Sequence, residues 1–146
     1  MEENNSNLFE VPLREEASVG QRLTNYLIDV LIYYAILVIL GIVAGMMSPE
    51  VFLEEGEGEL IWYLVAIITL VAYYTLTEGS SGKTLGKRIT RTQVISEDGE
   101  SISYKTALLR TLCRMVPLEP LSIFFGGGMW HDRWTRTKVV KKIPGI

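Results

Sequence analysis

The fold is decided by the stretch from Gln21 to Met47, which reads QRLTNYLIDVLIYYAILVILGIVAGMM. This stretch is long enough to cross a bilayer, because a crossing helix needs about 20 predominantly apolar residues. Its leading half nevertheless carries Arg22 and Asp29, and a charge inside a spanning helix costs roughly 2.5–3.5 kcal/mol on insertion scales. Helix geometry places the two side chains on nearly the same face, about two turns apart. We therefore expect this helix to have one polar side and one lipid-like side. Each of the two charged residues should have either a binding partner or a functional role.

The first span is predicted at residues 19–47, with Ser18 as the N-cap. Residues 1–18 are predicted to form a flexible cytoplasmic tail, because they are polar and acidic and Pro12 interrupts regular structure. The apolar block exceeds the roughly 7–15 residues of a secretory signal core. We therefore expect it to persist as an uncleaved anchor that opens a membrane domain over residues 19–146.

A second span is predicted at residues 60–76, an uncharged run with aromatic residues at both ends. The connector between the spans, residues 48–59, is rich in glutamate. The loop after the second span is basic, with Lys83, Lys87, Arg88 and Arg91. Because cytoplasmic loops carry an excess of Lys and Arg, we place this loop and the N-terminus in the cytoplasm. The predicted location is the cell membrane, crossed more than once.

A small cytoplasmic β-hairpin is predicted after the basic loop. β-branched residues up to Ile95 favour a strand, Asp98-Gly99 favours a turn, and Ile102 begins a return arm. Near the C-terminus, residues 137–140 form another candidate strand. They could pair with residues 91–95, provided that both segments lie on the same side of the membrane.

The third apolar segment, residues 104–125, differs from the first two. Arg110 and Arg114 lie one helical turn apart in it, and Pro117 interrupts any helix in its middle. A full crossing would place the basic C-terminal tail outside, against the positive-inside tendency. We therefore favour two full spans plus a broken, partly embedded pair over three full spans. The predicted fold class is a mainly α integral membrane protein with two long transmembrane helices, this broken third helical segment and the hairpin.

Several functional classes are disfavoured by composition. The chain has one cysteine, Cys113, and one histidine, His131, which excludes a disulfide framework and a Cys/His zinc cluster. No recognisable nucleophile accompanies His131, and the SGKTLGK stretch lacks the spacing of a phosphate-binding loop. The basic residues flank membrane segments, which disfavours nucleic-acid binding. We expect no enzyme activity, no cofactor and no metal.

Taken together, these features resemble the RDD family of small, mostly prokaryotic membrane proteins. The family is named for an arginine and an aspartate in the first span and a second aspartate late in the chain. The matching residues are Arg22, Asp29 and Asp132, supported by Thr84-Leu-Gly86-Lys-Arg88, Asp98-Gly99, Ala107, Arg110, Arg114 and Thr137-Lys-Val-Val140. The resemblance implies a membrane protein that is often suspected of transport, with cation/proton antiport in some members.

Asp29 is the sharpest functional candidate. It could be a protonatable carboxylate that exchanges a proton for a cation. Alternatively, it pairs with Arg22, Arg110 or Arg114 and only fixes helix packing. The predicted candidates for ion or proton coupling are Asp29, Arg22, Asp132, Arg110, Arg114 and Glu119. All of them except Glu119 are expected in one network near the cytoplasmic boundary. His131 and Asn25 are secondary candidates.

Two functions remain open from the sequence. The first is an oligomeric cation/proton or small-solute transporter that uses the Asp–Arg network. The second is a non-transporting membrane assembly or accessory module for a partner protein. The expected partners are membrane lipids and either further copies of the chain or another membrane protein. Gly41 and Gly45 form a GxxxG pair that could serve as an oligomer seam.

Overall fold

The computed structural model describes residues 14–48, 57–125 and 129–141. The elements, in chain order, are α1 (Val19–Met47), α2 (Glu57–Ser81), α3 (Leu85–Ile89), β1 (Thr92–Ser96), α4 (Tyr104–Arg114), a 3₁₀ helix (Glu119–Phe125), α5 (Trp130–Trp134) and β2 (Thr137–Lys141). This part of the chain is mainly helical with one small two-stranded sheet. α1 and α2 are long and apolar enough to cross a membrane.

α1 covers the residues predicted for the first span, and Ser18 caps its start. The Ser18 hydroxyl accepts from the Gln21 backbone N–H at 3.2 Å, and the Gln21 side chain accepts from the Ser18 N–H at 3.0 Å. This reciprocal pair satisfies two amides that the first turn leaves without helical partners.

α2 is longer than the predicted second span at both ends. It begins in the glutamate-rich connector, of which residues 49–56 lie outside the described part. At its other end it continues beyond the apolar run to Ser81, before Gly82 takes a left-handed φ of +65°. This extension places Glu78 on the helix and not in the following loop.

One side of α1 packs against α2. The Tyr33 hydroxyl donates to the carbonyl of Ala66 at 3.1 Å. A Cβ at Gly41 would lie 3.8 Å from the ring of Trp62, which is an ordinary packing distance. The small-residue side of α1 therefore faces a neighbouring helix of the same chain at Gly41. Oligomerisation stays a prediction.

The sheet joins two segments that are far apart in the sequence. β1 pairs antiparallel with β2, with Thr92 opposite Lys141 and Ser96 opposite Thr137, which confirms the pairing expected for these segments. The predicted hairpin is wrong in its return arm, which forms only one bridge, between Ile95 and Ser101. The rest of that edge is not free for a return strand, because the Val94 N–H donates to the carbonyl of Gly82 at 2.8 Å.

The start of α1 and the end of α2 both lie at this sheet. The Ala17 N–H donates to the carbonyl of Val139 at 2.9 Å, and the Lys141 N–H donates to the carbonyl of Glu15 at 2.8 Å. Glu15 and Ala17 were predicted to belong to the flexible tail, but they are hydrogen-bonded to β2. Residues 1–13 of that tail lie outside the described residues.

The third segment leaves the sheet and returns to it. α4 runs beside the last turns of α2, where the Tyr104 ring covers Gly79 so closely that a Cβ there would lie 2.3 Å from a ring carbon. The helix ends at Arg114, Leu118 adopts a φ of +70°, and the 3₁₀ helix, α5 and β2 follow. The excursion therefore begins and ends at the same end of the molecule, as expected for a broken pair.

Burial in this fold is the reverse of that in a water-soluble domain. The only cluster of buried apolar side chains found in the described residues is small: Ala17, Val94, Ile102, Ala107 and Val139. The long helices instead expose large apolar side chains, with Leu31 70% and Ile68 65% accessible. α4 shows the same inversion, because Arg110 and Thr111 are buried while Leu109 is 55% exposed.

Candidate functional site

A buried charge cluster lies where α1 and α2 meet the sheet, and Glu78 of α2 is one of its two centres. The Glu78 side chain is completely buried. Its Oε1 lies 2.9 Å from Lys87 Nζ and 2.6 Å from Arg114 Nη2, while its Oε2 accepts from Arg110 Nε at 2.9 Å. The carboxylate of this one α2 residue therefore binds one cationic side chain from α3 and two from successive turns of α4.

Asp132 of α5 is the second centre of the charge cluster. Its Oδ2 accepts from Arg22 Nη1, and its Oδ1 lies 2.7 Å from Arg110 Nη1. The second contact is an ion pair whose angle does not make a hydrogen bond, so Oδ1 has no donor in the described part of the chain. The structure thus brings together Arg22, Arg110 and Asp132, as the sequence predicted. We use "charge cluster" for these residues and the partners of Glu78: Arg22, Glu78, Lys87, Arg110, Arg114 and Asp132.

Asp29 lies beside the charge cluster without joining it. Its Oδ1 accepts from the Tyr73 hydroxyl at 2.8 Å and from the Gly86 N–H at 2.9 Å, and its Oδ2 accepts from the Thr84 hydroxyl at 2.6 Å. Within the described ranges, no Lys or Arg nitrogen comes within 4.0 Å of this carboxylate. The alternative in which Asp29 pairs with an arginine is therefore wrong.

Neutral donors reach Asp29 because α3 crosses α1 at very short range. A Cβ on Gly86 would lie 2.6 Å from the backbone oxygen of Asn25 and 2.9 Å from Asp29 Oδ1. Only glycine allows this approach. Thr84 caps α3 through its hydroxyl while donating to Asp29, so the carboxylate also fixes the start of that short helix.

Asn25 joins α1 to the beginning of the sheet. Its Nδ2 donates to the Thr92 hydroxyl at 3.0 Å, and its Oδ1 accepts from the Thr90 hydroxyl. Both ends of the buried amide therefore have partners. This geometry explains Asn25 as a connection between elements.

Glu119 and His131 form a buried pair next to the charge cluster. His131 Nδ1 lies 2.5 Å from Glu119 Oε1, and His131 Nε2 lies 3.3 Å from Arg114 Nη2. Because a guanidinium only donates hydrogen bonds, Nε2 must accept from Arg114 when the imidazole is neutral. The proton of neutral His131 is therefore on Nδ1, where it is donated to Glu119.

Burial favours the uncharged form of both members of this pair. It raises the pKa of Glu119, with Arg114 opposing the change. It holds the pKa of His131 well below the usual value, and Arg114 and Arg110 act in the same direction. Burial also lowers the pKa of Lys87, an effect that the neighbouring Glu78 carboxylate opposes.

The sequence analysis missed Glu78, one of the two centres of the charge cluster. Glu78 was assigned to the loop because the uncharged run ends at Leu76, although the helix continues past it. The available signal was that Glu78 is the first charge after a long apolar helix and lies four residues beyond Tyr74, one turn further along the same side. Arg114 contacts both residues, because its guanidinium carbon lies 4.4 Å from the centre of the Tyr74 ring.

The donors around this site suit a hydrogen-bond acceptor better than a metal ion. In the residues described, no group of three or more His, Cys, Asp or Glu side chains is arranged to hold a metal. Asp29 is surrounded by hydroxyl and amide donors, and four cationic side chains lie in the adjoining cluster. A cation would need acceptor oxygens, which this arrangement does not offer it.

The sequence model of the RDD family matches residues 16–135. The chain belongs to the RDD family. In this RDD protein, Arg22 and Asp132 bind each other directly, whereas Asp29 binds α2 and α3. No curated protein and no solved structure matches the chain.

Proposed function

We propose that this RDD protein is an integral protein of the cell membrane, with two crossings and a third segment that enters and returns. The reversed burial supports this proposal: large apolar side chains such as Leu31 and Ile68 face outward, while charged groups are internal. In water such a surface would be costly, whereas lipid accepts it and makes every internal polar contact more necessary. The basic loop and the sheet face the cytoplasm in this arrangement.

Cysteine labelling in intact cells tests this topology. Starting from a Cys113→Ala chain, single cysteines are introduced as Asp98→Cys and Arg136→Cys near the sheet and as Ser48→Cys at the far end of α1. A membrane-impermeant maleimide should label only the Ser48→Cys chain before lysis and all three afterwards. Labelling of Arg136→Cys but not Asp98→Cys before lysis would indicate a third crossing and would overturn the proposal.

We further propose that the protein acts as a membrane assembly module whose charge cluster is a scaffold. The supporting observation is that Glu78, at zero exposure, binds cations from α3 and α4, while Asp132 binds cations from α1 and α4. Each of these contacts joins separate elements. The two long helices leave most of their apolar surface uncovered by the described part of the chain, so this surface remains for lipid or for helices of an oligomer or partner.

Proton-coupled transport is the second candidate, and one observation favours it. Glu119 and His131 form a close acid–base pair beside a small cavity that Asp29 also lines. Such a pair could accept and release a proton. The two helices cannot enclose a pathway alone, so a transporting form would need several copies of the chain.

One experiment separates the two functions. The purified protein and its Asp29→Asn and Glu119→Gln variants are placed in liposomes, and internal pH is followed after an imposed cation gradient. The scaffold proposal predicts no protein-dependent flux, together with a lower unfolding temperature for Asp29→Asn. Protein-dependent flux that disappears in Glu119→Gln, with an unchanged unfolding temperature, would contradict the scaffold proposal and establish transport.

A further inference from the structure

A small cavity lies at the centre of the polar region. Its volume is about 30 Å³, which is room for one or two water molecules. Cationic side chains from three elements line it: Arg22 from α1, Lys87 from α3 and Arg114 from α4. Val139 of β2 and Met129 form part of its apolar wall.

The charge cluster around this cavity carries more positive than negative groups. Four cationic side chains share two carboxylates, because Glu78 contacts three of them and Asp132 contacts two, with Arg110 common to both. Arg22 also lies 3.6 Å from the exposed carboxylate of Glu16, so one positive charge remains in excess within contact distance. In a region of low dielectric constant, like charges that close repel strongly unless a counter-charge is present.

The two acidic residues in the cavity wall do not contact these cations. Asp29 accepts hydrogen bonds from three neutral donors, and Glu119 accepts from His131. Neither carboxylate comes within 4.0 Å of a Lys or Arg nitrogen of the described chain. The acidic groups therefore reduce the local potential without pairing with the surplus positive charge.

Two guanidinium nitrogens are a second, independent indication that this region can bind a hydrogen-bond acceptor. Arg110 Nη2 and Arg114 Nη1 are buried and have no acceptor in the described part of the chain. An unpartnered buried donor is costly, and more so when it is charged. Arg114 also lines the cavity, so a hydrogen-bond acceptor bound in the cavity would lie next to the charge cluster, which lacks such an acceptor.

We propose that the cavity binds a small monovalent anion of halide size, held by Arg22, Lys87 and Arg114. A halide offers only acceptor capacity and one negative charge, which is what the surplus positive charge and unpartnered donors require. The volume of about 30 Å³ matches an ion of halide size more closely than the larger sulfate or phosphate ions. This site is independent of whether the protein acts as a scaffold or a transporter.

Thermal unfolding of the purified full-length protein in detergent tests the site. Chloride or bromide replaces gluconate at constant pH and ionic strength, and the unfolding temperature is followed. A ligand that binds only the folded state raises this temperature in a saturable manner. We expect saturable rises with chloride and bromide and none with sulfate. Equal unfolding temperatures in chloride and gluconate would overturn the proposal and leave water as the occupant.

Two variants test where the anion binds. Val139→Leu adds a carbon atom at the cavity wall without changing charge, and Lys105→Gln removes an exposed cation from the same helix as Arg114. The chloride-dependent rise should be lost in Val139→Leu and kept in Lys105→Gln. An equal rise in wild type and Val139→Leu would indicate general salt stabilisation and would overturn the assigned site. Should Val139→Leu fail to fold, the same comparison is made with Arg114→Gln.

Discussion

Replacing Glu78 with glutamine should destabilise this protein more than any other single loss of a carboxylate. The substitution keeps the shape of the side chain but removes the negative charge that Lys87, Arg110 and Arg114 share at 2.6–2.9 Å. Removing one partner of a buried ion pair costs about 3–5 kcal/mol, because the remaining charge stays buried without compensation. Here Lys87 and Arg114 lose their carboxylate partner together and Arg110 keeps only Asp132, so we expect the upper part of that range.

The effect is large relative to typical stabilities of roughly 5–15 kcal/mol. It corresponds to a fall in unfolding temperature of about 10 °C or more for a chain of this size. The assay is thermal unfolding in detergent, followed by circular dichroism. The matched control is Glu97→Gln, an identical change at an exposed position of the β1 turn. If Glu78→Gln unfolds within a degree or two of the control, the view that this carboxylate holds α3 and α4 against α2 is wrong.

Three further predictions concern the surroundings of this cluster. Gly86→Ala should lower the unfolding temperature, because the new Cβ would lie 2.6 Å from the backbone oxygen of Asn25. The control is Gly41→Ala, which should be tolerated because its Cβ would lie 3.8 Å from the Trp62 ring. Similar losses of unfolding temperature for both variants would contradict the close approach of α3. Tyr73→Phe removes one of the three donors to Asp29 and should cost about 1 kcal/mol in chemical unfolding, with the exposed Tyr63→Phe as the control that should change little. Because the folded state holds the pKa of His131 well below its unfolded value, stability should fall as the pH drops below about 6.5, by at most about 1.4 kcal/mol per pH unit for this proton. His131→Gln should flatten that acid slope between pH 5 and 7, as measured by unfolding at several pH values, and an unchanged slope would show that other groups cause it.

The sequence predicted the helical framework well because its signals are local. The start of α1 follows from Ser18 and the apolar run behind it, and the break after α4 follows from Pro117. Loop charge favoured an excursion over a third crossing, and α4 ends at Arg114 before the chain returns to the sheet. The pairing of β1 with β2 was also predicted, since both segments were expected on the same side.

The site was predicted less completely, because its contacts depend on three-dimensional placement. The pairing of Arg22 with Asp132 spans 110 positions and was supported only by the family resemblance. Pairing with an arginine was one alternative for Asp29, yet Gly86 lets α3 approach closely enough for neutral donors to surround it. Glu78 was missed because hydropathy ends the second span before the helix itself ends.

The arrangement gives the family residues different roles in this chain. Arg22 and Asp132 join the first helix to the end of the returning segment, whereas Asp29 orders α3 between α1 and α2. Both arrangements place buried polar groups between elements that an apolar environment would not otherwise hold together. The interaction energy between Arg22 and Asp132 therefore decides whether the charge cluster acts as a scaffold.

A double-mutant cycle on Arg22 and Asp132 measures that energy most directly. The unfolding free energies of wild type, Arg22→Gln, Asp132→Asn and the double variant are compared in the same detergent. We expect each single change to be costly and the double change to cost less than their sum, with a coupling of about 1–3 kcal/mol. Costs that add within about 0.5 kcal/mol would show that the two residues do not stabilise each other, which would contradict the scaffold role of the charge cluster.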